Sequence, residues 1–220
     1  MIISRGRQFI FVHIPKTGGT SLALALEARA MKDDIMLGDT PKATRRRRRV
    51  RDVKSSGRLW KHAALRDIRG LVTDEEIASF KVFTMVRNPW DRIVSYYHWL
   101  RGQSFDHPAV QLAKASNFSS FLNHEQTRAS LRAQPCESYV TNEAGALRCD
   151  LFLRLEHLDE DLPRLEELLD LRIAPLPHVN RSEREEGYRA HYSAADRALV
   201  EELAAPDIAR FGYTFTTSCK

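Results

Sequence analysis

The sequence has few cysteines and no long apolar run. Its 220 residues contain three cysteines, Cys136, Cys149 and Cys219, and none lies in a CxxC pattern or at metal-ligand spacing from a histidine. Three thiols do not make a disulfide framework, so the pattern favours a cytoplasmic location, although a bridge between Cys136 and Cys149 stays open. No run reaches the roughly 18 apolar residues of a spanning helix, and no export signal precedes the first apolar run. We therefore expect no transmembrane segment.

A strong excess of one charge is also missing. The 34 Lys and Arg residues nearly balance the 29 Asp and Glu residues, for a formal net charge of +5. Such a surface favours anionic partners but does not indicate a specific nucleic-acid-binding protein. The basic residues concentrate in RRRRRVR, which starts at Arg45 and ends at Arg51. We expect a flexible basic loop over about residues 39–58, or a charged helix face.

Three short apolar runs predict buried parallel strands, at residues 8–14, 81–86 and 150–155. Each is followed by a helical pattern, and this alternation is typical of an α/β sheet. The clearest helix begins at Pro89, where Asn88 can cap it, and ends at Gly102. The length favours one domain over residues 1–220.

The first strand leads into a turn that has the parts of an anion-binding site. Its lysine, two glycines and three hydroxyls are Lys16, Thr17, Gly18, Gly19, Thr20 and Ser21. Glycines allow a ligand to approach the backbone N–H groups, and the start of the next helix adds partial positive charge. We therefore predict a phosphate or sulfate site with Lys16 at its mouth.

The order of these residues differs from the nucleoside-triphosphate loop GxxxxGK[ST], because Lys16 precedes Gly18. The second strand also lacks a final aspartate for magnesium and is followed by Arg87. This favours neutralisation by protein cations without a metal ion. A P-loop kinase or nucleotide hydrolase, and a non-catalytic polyanion-binding protein, remain alternatives.

Two segments resemble the sulfotransferase family. HIPKTGGTSL is similar to its 5′-phosphosulfate loop, and VRNPWDRIVSYYH, about 70 residues later, is similar to its 3′-phosphate motif. The segment KHAALRDIRGLV and the C-terminal tail resemble the branch of carbohydrate 2-O- and 4-O-sulfotransferases and its bacterial relatives. The resemblance implies a P-loop NTPase-like three-layer sandwich, with a central parallel sheet flanked by helices.

The resemblance also implies an activity and a donor. The enzyme would transfer a sulfuryl group from 3′-phosphoadenosine 5′-phosphosulfate (PAPS) to an acceptor hydroxyl, that of a glycan in the resembled branch. The turn from Lys16 to Ser21 would hold the 5′ end, and Arg87 with Ser95 the 3′-phosphate. Lys16 would also donate to the bridging oxygen of the leaving phosphate. Arg92 could join Arg87 or pair with a carboxylate.

A general base must remove the acceptor's proton. His62 is preferred because it lies between the two motifs, where the 2-O branch places a catalytic histidine. A packing or capping role for His62 stays open. The other candidates are His13, for which a structural role is favoured, and His98, His178, Glu156 and Asp67.

The arginine run has four possible roles. It could bind an anionic polysaccharide acceptor, steer the donor, bind nucleic acid without specificity, or form a solvated segment. The sequence does not choose among them.

Overall fold

The computed structural model describes residues 1–177 and 187–217. It contains a five-stranded sheet in the order β3-β1-β2-β4-β5. The strands are β1 (Ile2–Ser4), β2 (Phe9–Val12), β3 (Ile35–Met36), β4 (Lys81–Val86) and β5 (Leu151–Arg154). Strand β2 pairs with β4, and β4 with β5, in parallel, whereas β1 pairs antiparallel with both β2 and β3.

The register stacks aromatic rings across the parallel strands. Phe11 lies opposite Phe83, with ring centroids 5.5 Å apart, and Phe83 lies opposite Leu151. All residues of β2 are buried, as are those of β4 apart from Lys81. Strands covered on both faces need apolar residues at consecutive positions, which explains the unbroken apolar runs of the sequence.

The predicted α/β fold, a central sheet flanked by helices, is confirmed. The three predicted strands correspond to β2, β4 and β5. The antiparallel strands β1 and β3 were not predicted, because three and two residues are too few to show an alternating pattern. They make one edge of the sheet antiparallel, whereas the sequence had predicted a parallel sheet.

Eleven α-helices lie within residues 1–177 and 187–217. They are α1 (Gly19–Ala28), α2 (Pro41–Arg46), α3 (Asp74–Ser79), α4 (Pro89–Arg101), α5 (Pro108–Ala115), α6 (Phe118–Asn123), α7 (Glu125–Ala133), α8 (Cys136–Tyr139), α9 (Leu158–Leu169), α10 (Ala194–Leu203) and α11 (Ala205–Phe211). Short 3₁₀ helices span Arg47–Val50, Leu65–Ile68, Leu155–His157 and Tyr188–His191.

The chain divides into two units. The first consists of Met1–Val86 and Cys136–Asn180, and the second of Arg87–Pro135 and Arg181–Lys220. In the first unit, Leu22 and Leu26 of α1 and Leu165 of α9 form one apolar core with strand residues such as Phe11 and Phe83. This core fixes α1, and therefore the turn that precedes it, against the sheet.

The second unit is built around α4, whose predicted start is confirmed. The Asn88 side chain accepts a hydrogen bond from the Trp90 N–H at 3.0 Å, and Pro89 occupies the first turn. The Trp90 indole donates to the Arg197 carbonyl at 3.1 Å, and the Tyr97 hydroxyl donates to the Ser116 carbonyl at 2.8 Å. These bonds satisfy the polar atoms of two buried rings and fix the rotation of α4.

The arginine run takes the second of its predicted conformations, a charged helix face. Helix α2 and the 3₁₀ helix at Arg47–Val50 cover most of it, and Thr40 caps α2 by accepting from the Ala43 N–H at 3.1 Å.

No disulfide joins Cys136 to Cys149, and Cys219 lies outside the described residues. In the described ranges no helix is both long enough and apolar enough to span a membrane.

Candidate functional site

The turn between β2 and α1 has the conformation of an anion-binding turn. Lys16 and Gly18 both have left-handed backbones, with φ of 65° and 83°. Alternation of left- and right-handed residues points successive N–H groups to one side. The Thr17 side chain is buried, and its hydroxyl donates to the Ile14 carbonyl at 2.9 Å. The Thr17 side chain therefore stabilises the turn. The group that remains available for its predicted contact with a ligand is the backbone N–H.

Both glycines are crowded by neighbouring side chains, and Gly18 also has a left-handed backbone. A Cβ atom on Gly18 would lie 2.8 Å from Cδ1 of Leu155, and one on Gly19 would lie 2.6 Å from Cδ2 of His13. At either distance, the neighbouring side chain would have to shift to admit a Cβ atom. The turn is thus pressed against Leu155 on one side and His13 on the other.

Helix α1 begins without a side-chain cap and without an acidic residue in its first turn. The helices α2 and α3 begin differently, because Thr40 and Thr73 cap them. The first N–H groups of a helix have no partner within the helix and carry partial positive charge. At α1 these groups, with the glycines and Lys16, fit a phosphate or sulfate group.

His62 is held beside this turn by His13. Its Nδ1 lies 2.7 Å from the His13 carbonyl oxygen, and the two rings meet edge to face at 4.9 Å. A carbonyl oxygen can only accept, so Nδ1 must donate its hydrogen and Nε2 keeps its lone pair. Burial lowers the pKa of His62 to about 4, against an ordinary value near 6.5. The ring is therefore a neutral hydrogen-bond acceptor at neutral pH.

His13 lies at the end of β2, under the turn. Its ring is 3% exposed and stacks on Phe11 at 5.6 Å. Burial, followed by the N-terminal amino group and then the nearby His62, lowers the pKa of His13 well below its usual range. Its imidazole packs against Gly19 while its carbonyl binds His62, so His13 joins the turn to His62.

The carboxylates proposed as alternative bases differ in their surroundings. Asp67 accepts a hydrogen bond from the Ala64 N–H at 2.7 Å, which caps the 3₁₀ helix Leu65–Ile68. Glu156 is 3% exposed and lies directly after β5, next to Leu155. Because parallel strands end at the same edge of a sheet, Glu156 lies near the turn after β2.

The remaining histidine candidates lie elsewhere. His98 is in α4, where its ring contacts Tyr97 at 5.3 Å and His191 at 5.0 Å. This aromatic packing belongs to the second unit. His178 lies outside the described residues.

Arg87, which follows β4, is oriented by Asp91. Its Nε and Nη2 atoms lie 2.9 and 2.6 Å from Oδ2 of Asp91, one turn later in α4. Both side chains are largely buried, at 12% and 14% exposed. Ser95, 6% exposed, follows Asp91 by four residues and so lies on the same face of α4. Sequence reasoning did not identify this orienting role of Asp91, although the spacing of Arg87 and Asp91 would have indicated it.

Arg92, which could join Arg87 or pair with a carboxylate, lies near a carboxylate. Its Nη1 lies 4.0 Å from Oδ2 of Asp207, which is buried. In the described ranges no group of three or more His, Cys, Asp or Glu side chains could hold a metal ion.

Comparison with known proteins identifies the family. The model of the sulfotransferase family matches residues 1–214. The chain belongs to this family. The predicted enzyme class, a PAPS-dependent sulfotransferase, is thereby confirmed. A search of curated proteins gave no significant match.

Solved structures also match this sulfotransferase. One is the crystal structure of mouse sulfotransferase SULT7A1 complexed with PAP, at 15% identity and a TM-score of 0.48. That match covers 93% of this chain and 84% of the mouse chain. The assignment to the family rests on the family model, which spans nearly the whole sequence.

Proposed function

We propose that this sulfotransferase moves the sulfuryl group of PAPS to a carbohydrate hydroxyl by in-line displacement, with Lys16 and His62 as its catalytic residues. The observation that carries the proposal is the position of His13. Its ring packs against Gly19 of the turn, and its carbonyl holds His62 at 2.7 Å with Nε2 as an acceptor. In this proposal His13 therefore contacts both the anion-binding turn and the neutral base.

The turn is suited to the phosphosulfate end of the donor. The N–H groups at Gly18, Gly19 and Thr20, and the hydroxyls of Thr20 and Ser21, are donors for its oxygens. Sulfuryl transfer resembles phosphoryl transfer in its loose, charge-spread transition state, so its catalysis is mostly positioning and electrostatics. In this scheme the Lys16 ammonium donates to the bridging oxygen, on which negative charge develops as the bond to sulfur breaks.

His62 is proposed as the general base. Its Nε2 accepts the proton of the acceptor hydroxyl while the oxygen attacks sulfur. The imidazolium that forms donates from both nitrogens and keeps its bond to the His13 carbonyl. The lowered pKa keeps His62 deprotonated before the reaction, at the cost of a weaker driving force for accepting the proton.

Arg87 and Ser95 are proposed to bind the 3′-phosphate of the same donor. The support is their match to the family's second motif, the Arg87–Asp91 ion pair at the start of α4, and the position of Ser95 on the same face of α4 as Asp91. Asp91 holds the guanidinium in one orientation, which lowers the entropy lost when a phosphate binds. No metal ion is needed in this scheme, because protein cations and N–H groups supply the charge.

We also propose a glycan as the acceptor and the cytoplasm as the compartment. A glycan hydroxyl is favoured by resemblance to the carbohydrate branch, with the arginine run as a possible contact for an anionic polysaccharide. A cytoplasmic location is proposed because three cysteines do not make a disulfide framework.

Calorimetry with adenosine 3′,5′-bisphosphate (PAP), the product nucleotide, tests the function. We expect binding without magnesium that weakens at least about tenfold in Arg87→Ala, because a charge-assisted bidentate contact is lost. Arg132→Ala is the matched control, since Arg132 pairs with Glu202 at 2.8 Å on the surface of the same unit. Tighter binding of ATP with magnesium would favour a kinase. A chain that binds neither nucleotide but binds polyanions would be a non-catalytic protein.

A further inference from the structure

The side-chain amide of Asn88 connects two distant parts of the second unit. Its oxygen caps α4 by accepting from the Trp90 N–H at 3.0 Å. Its nitrogen donates to the carbonyls of Thr214 and Thr217 at 2.9 and 2.8 Å, and these residues follow Asn88 by 126 and 129 positions. The whole residue is buried. Asn88 is therefore both the cap of α4 and an anchor for a segment far along the chain.

The second of these roles requires asparagine at position 88. Capping alone could be done equally well by aspartate or serine. A carboxylate has no hydrogen to donate, however, and a serine hydroxyl has only one, whereas the amide has two hydrogens for two carbonyls. The resonance that makes a peptide bond planar also makes this side-chain amide planar. The carbonyls that hold its nitrogen therefore also fix the direction of the oxygen that caps α4.

The anchored segment, residues 214–217, is a compact turn. The Thr217 N–H donates to the Thr214 carbonyl at 3.1 Å, and the Thr214 N–H donates to the Thr217 hydroxyl at 3.0 Å. The two carbonyls between them accept from the Tyr188 hydroxyl and the Arg189 guanidinium. Each of the four carbonyls of the 214–217 turn thus accepts from a side chain outside the turn.

The Phe215 ring is the apolar anchor of the 214–217 turn. It meets the rings of Trp90, Tyr188 and Tyr192 edge to face, at 5.8, 5.7 and 5.6 Å. The Arg197 guanidinium lies 4.9 Å from its centroid. The polar and the aromatic contacts of the turn both reach the first residues of α4, through Asn88 and Trp90.

The start of α4 is also where the Arg87–Asp91 ion pair lies. Arg87 directly precedes Asn88, and Asp91, which holds the Arg87 Nη2 at 2.6 Å, is in the first turn of the capped helix. A helix that loses its cap leaves N–H groups of its first turn without partners, and that turn becomes less ordered. The orientation of Arg87 therefore depends on the cap, and the cap depends on the 214–217 turn.

We propose that the 214–217 turn is a positioning element of the donor site. Docked on Asn88, it holds the start of α4, and with it Arg87, in the geometry that binds the 3′-phosphate. The inference rests on the proposed function, because Arg87 is the proposed phosphate contact. Phe215 acts through Asn88 and touches no substrate. Because coupling between two sites is reciprocal, a phosphate bound at Arg87 must in turn stabilise the docked turn.

Matched variants test the two contacts of the 214–217 turn. Phe215→Ala removes the anchoring ring, and Phe215→Leu restores an apolar side chain. The control is Phe105→Ala, since Phe105 is a 48% exposed ring in the same unit. Asn88→Ser keeps an acceptor for the cap but loses the amide donors. Its control is Asn117→Ser, since Asn117 caps α6 by accepting from the Ser120 N–H at 2.9 Å and does not contact the turn.

Calorimetry and transfer assays measure the effect on the donor. We expect PAP to bind at least about fivefold more weakly to Phe215→Ala and Asn88→Ser, and within about twofold of the wild type to both controls. Phe215→Leu should recover most of the loss. KM for PAPS should rise by the same factor, while kcat at saturating PAPS stays within about twofold. A partly unfolded sample would instead lower kcat and keep KM. The double variant Asn88→Ser with Phe215→Ala should lose little more than the worse single variant, because both act through one contact.

Hydrogen exchange tests the reciprocal effect without any substitution. The Thr217 amide, which donates within the turn, should exchange at least about fivefold more slowly when the wild type is saturated with PAP. NMR measures the rate with and without PAP. An unchanged rate, or turn variants that bind PAP as tightly as the wild type, would overturn the inference and leave the donor site in place. A wild type that binds no PAP would overturn the proposed function, and this inference with it.

Discussion

The Nδ1 atom of His62 and the backbone carbonyl oxygen of His13 are joined by a hydrogen bond of 2.7 Å. This bond connects a residue that precedes a 3₁₀ helix to the end of β2, 49 residues earlier in the chain. It also selects the tautomer of His62, because a carbonyl accepts only from N–H. The proposed base is therefore oriented by the backbone carbonyl of His13.

Replacement of His62 tests its role as the base. His62→Gln keeps a donor for the His13 carbonyl but removes the basic nitrogen. We expect kcat to fall by roughly 10²–10⁴, the usual contribution of a positioned base, while PAP affinity stays within about twofold. Single-turnover transfer assays and calorimetry measure the two quantities. Glu156→Gln is the comparison, and if this variant alone lost transfer, the base would be Glu156.

The pH profile of transfer should reflect the lowered pKa of His62. Because burial lowers this pKa to about 4, the proposed base remains deprotonated at far lower pH than a solvent-exposed histidine. We expect kcat/KM to stay level from about pH 8 to pH 5 and to fall as the pH approaches 4. Initial rates across this range, at constant ionic strength, measure the profile. A midpoint near 6.5 would mean that His62 is solvated or is not the base.

The same shift makes the stability of the fold depend on pH. The pKa of His62 is about 4 when folded and near 6.5 when unfolded, so between these values the unfolded chain binds more protons. The stability from a neutral buried His62 is complete above pH 6.5 and declines as the pH falls towards 4. Between pH 7.5 and 5.0 we expect the wild type to lose about 2 kcal/mol more than His62→Gln. Urea unfolding at the two pH values measures the difference, and equal losses would contradict the assigned burial.

Sequence patterns predicted the elements whose signals are local. The parallel strands β2, β4 and β5 are unbroken apolar runs, and α4 has Asn88, Pro89 and Gly102 at its ends. The turn from Lys16 to Ser21 was also predicted, because glycines and hydroxyls between a strand and a helix are typical of an anion-binding turn. These features depend on residues that are neighbours in the chain.

The features that were missed depend on residues far apart in the chain. Gly19 must be glycine because the His13 ring occupies the space of a Cβ, and no composition rule shows that contact. The hydroxyl of Thr17 donates to the Ile14 carbonyl inside the protein, a contact that the sequence does not show.

Gly18→Ala should damage the turn more than its backbone conformation alone requires. Gly18 and Gly145 have similar left-handed conformations, with φ of 83° and 78°, but a Cβ on Gly145 meets nothing within 4 Å. We expect Gly145→Ala to cost about 1–2 kcal/mol from the conformation. Gly18→Ala should cost about 1–3 kcal/mol more, from overlap with Leu155, and should weaken PAP binding. Thermal unfolding and calorimetry measure these effects.

A double variant separates overlap from conformation. Leu155→Ala removes the atoms that a Cβ on Gly18 would meet. Combined with Gly18→Ala, it should recover most of the extra loss beyond the cost of Leu155→Ala alone. Strict additivity of the two substitutions would show that Leu155 does not crowd the turn.

Two substitutions of Asp91 separate its charge from its orienting role. Asp91→Asn keeps an oxygen that can accept from Arg87 but removes a negative charge close to the proposed phosphate, so PAP should bind as tightly as in the wild type or more tightly. Asp91→Ala also removes the charge, but it leaves the Arg87 guanidinium without the contact at 2.6 Å. The Arg87 guanidinium would then become ordered only when PAP binds, at a cost in entropy. We therefore expect PAP affinity about tenfold weaker than in Asp91→Asn. Calorimetry at fixed ionic strength compares the variants. Equal affinity of the two would show that Arg87 is oriented without Asp91, because they share the charge change and differ only in the retained acceptor.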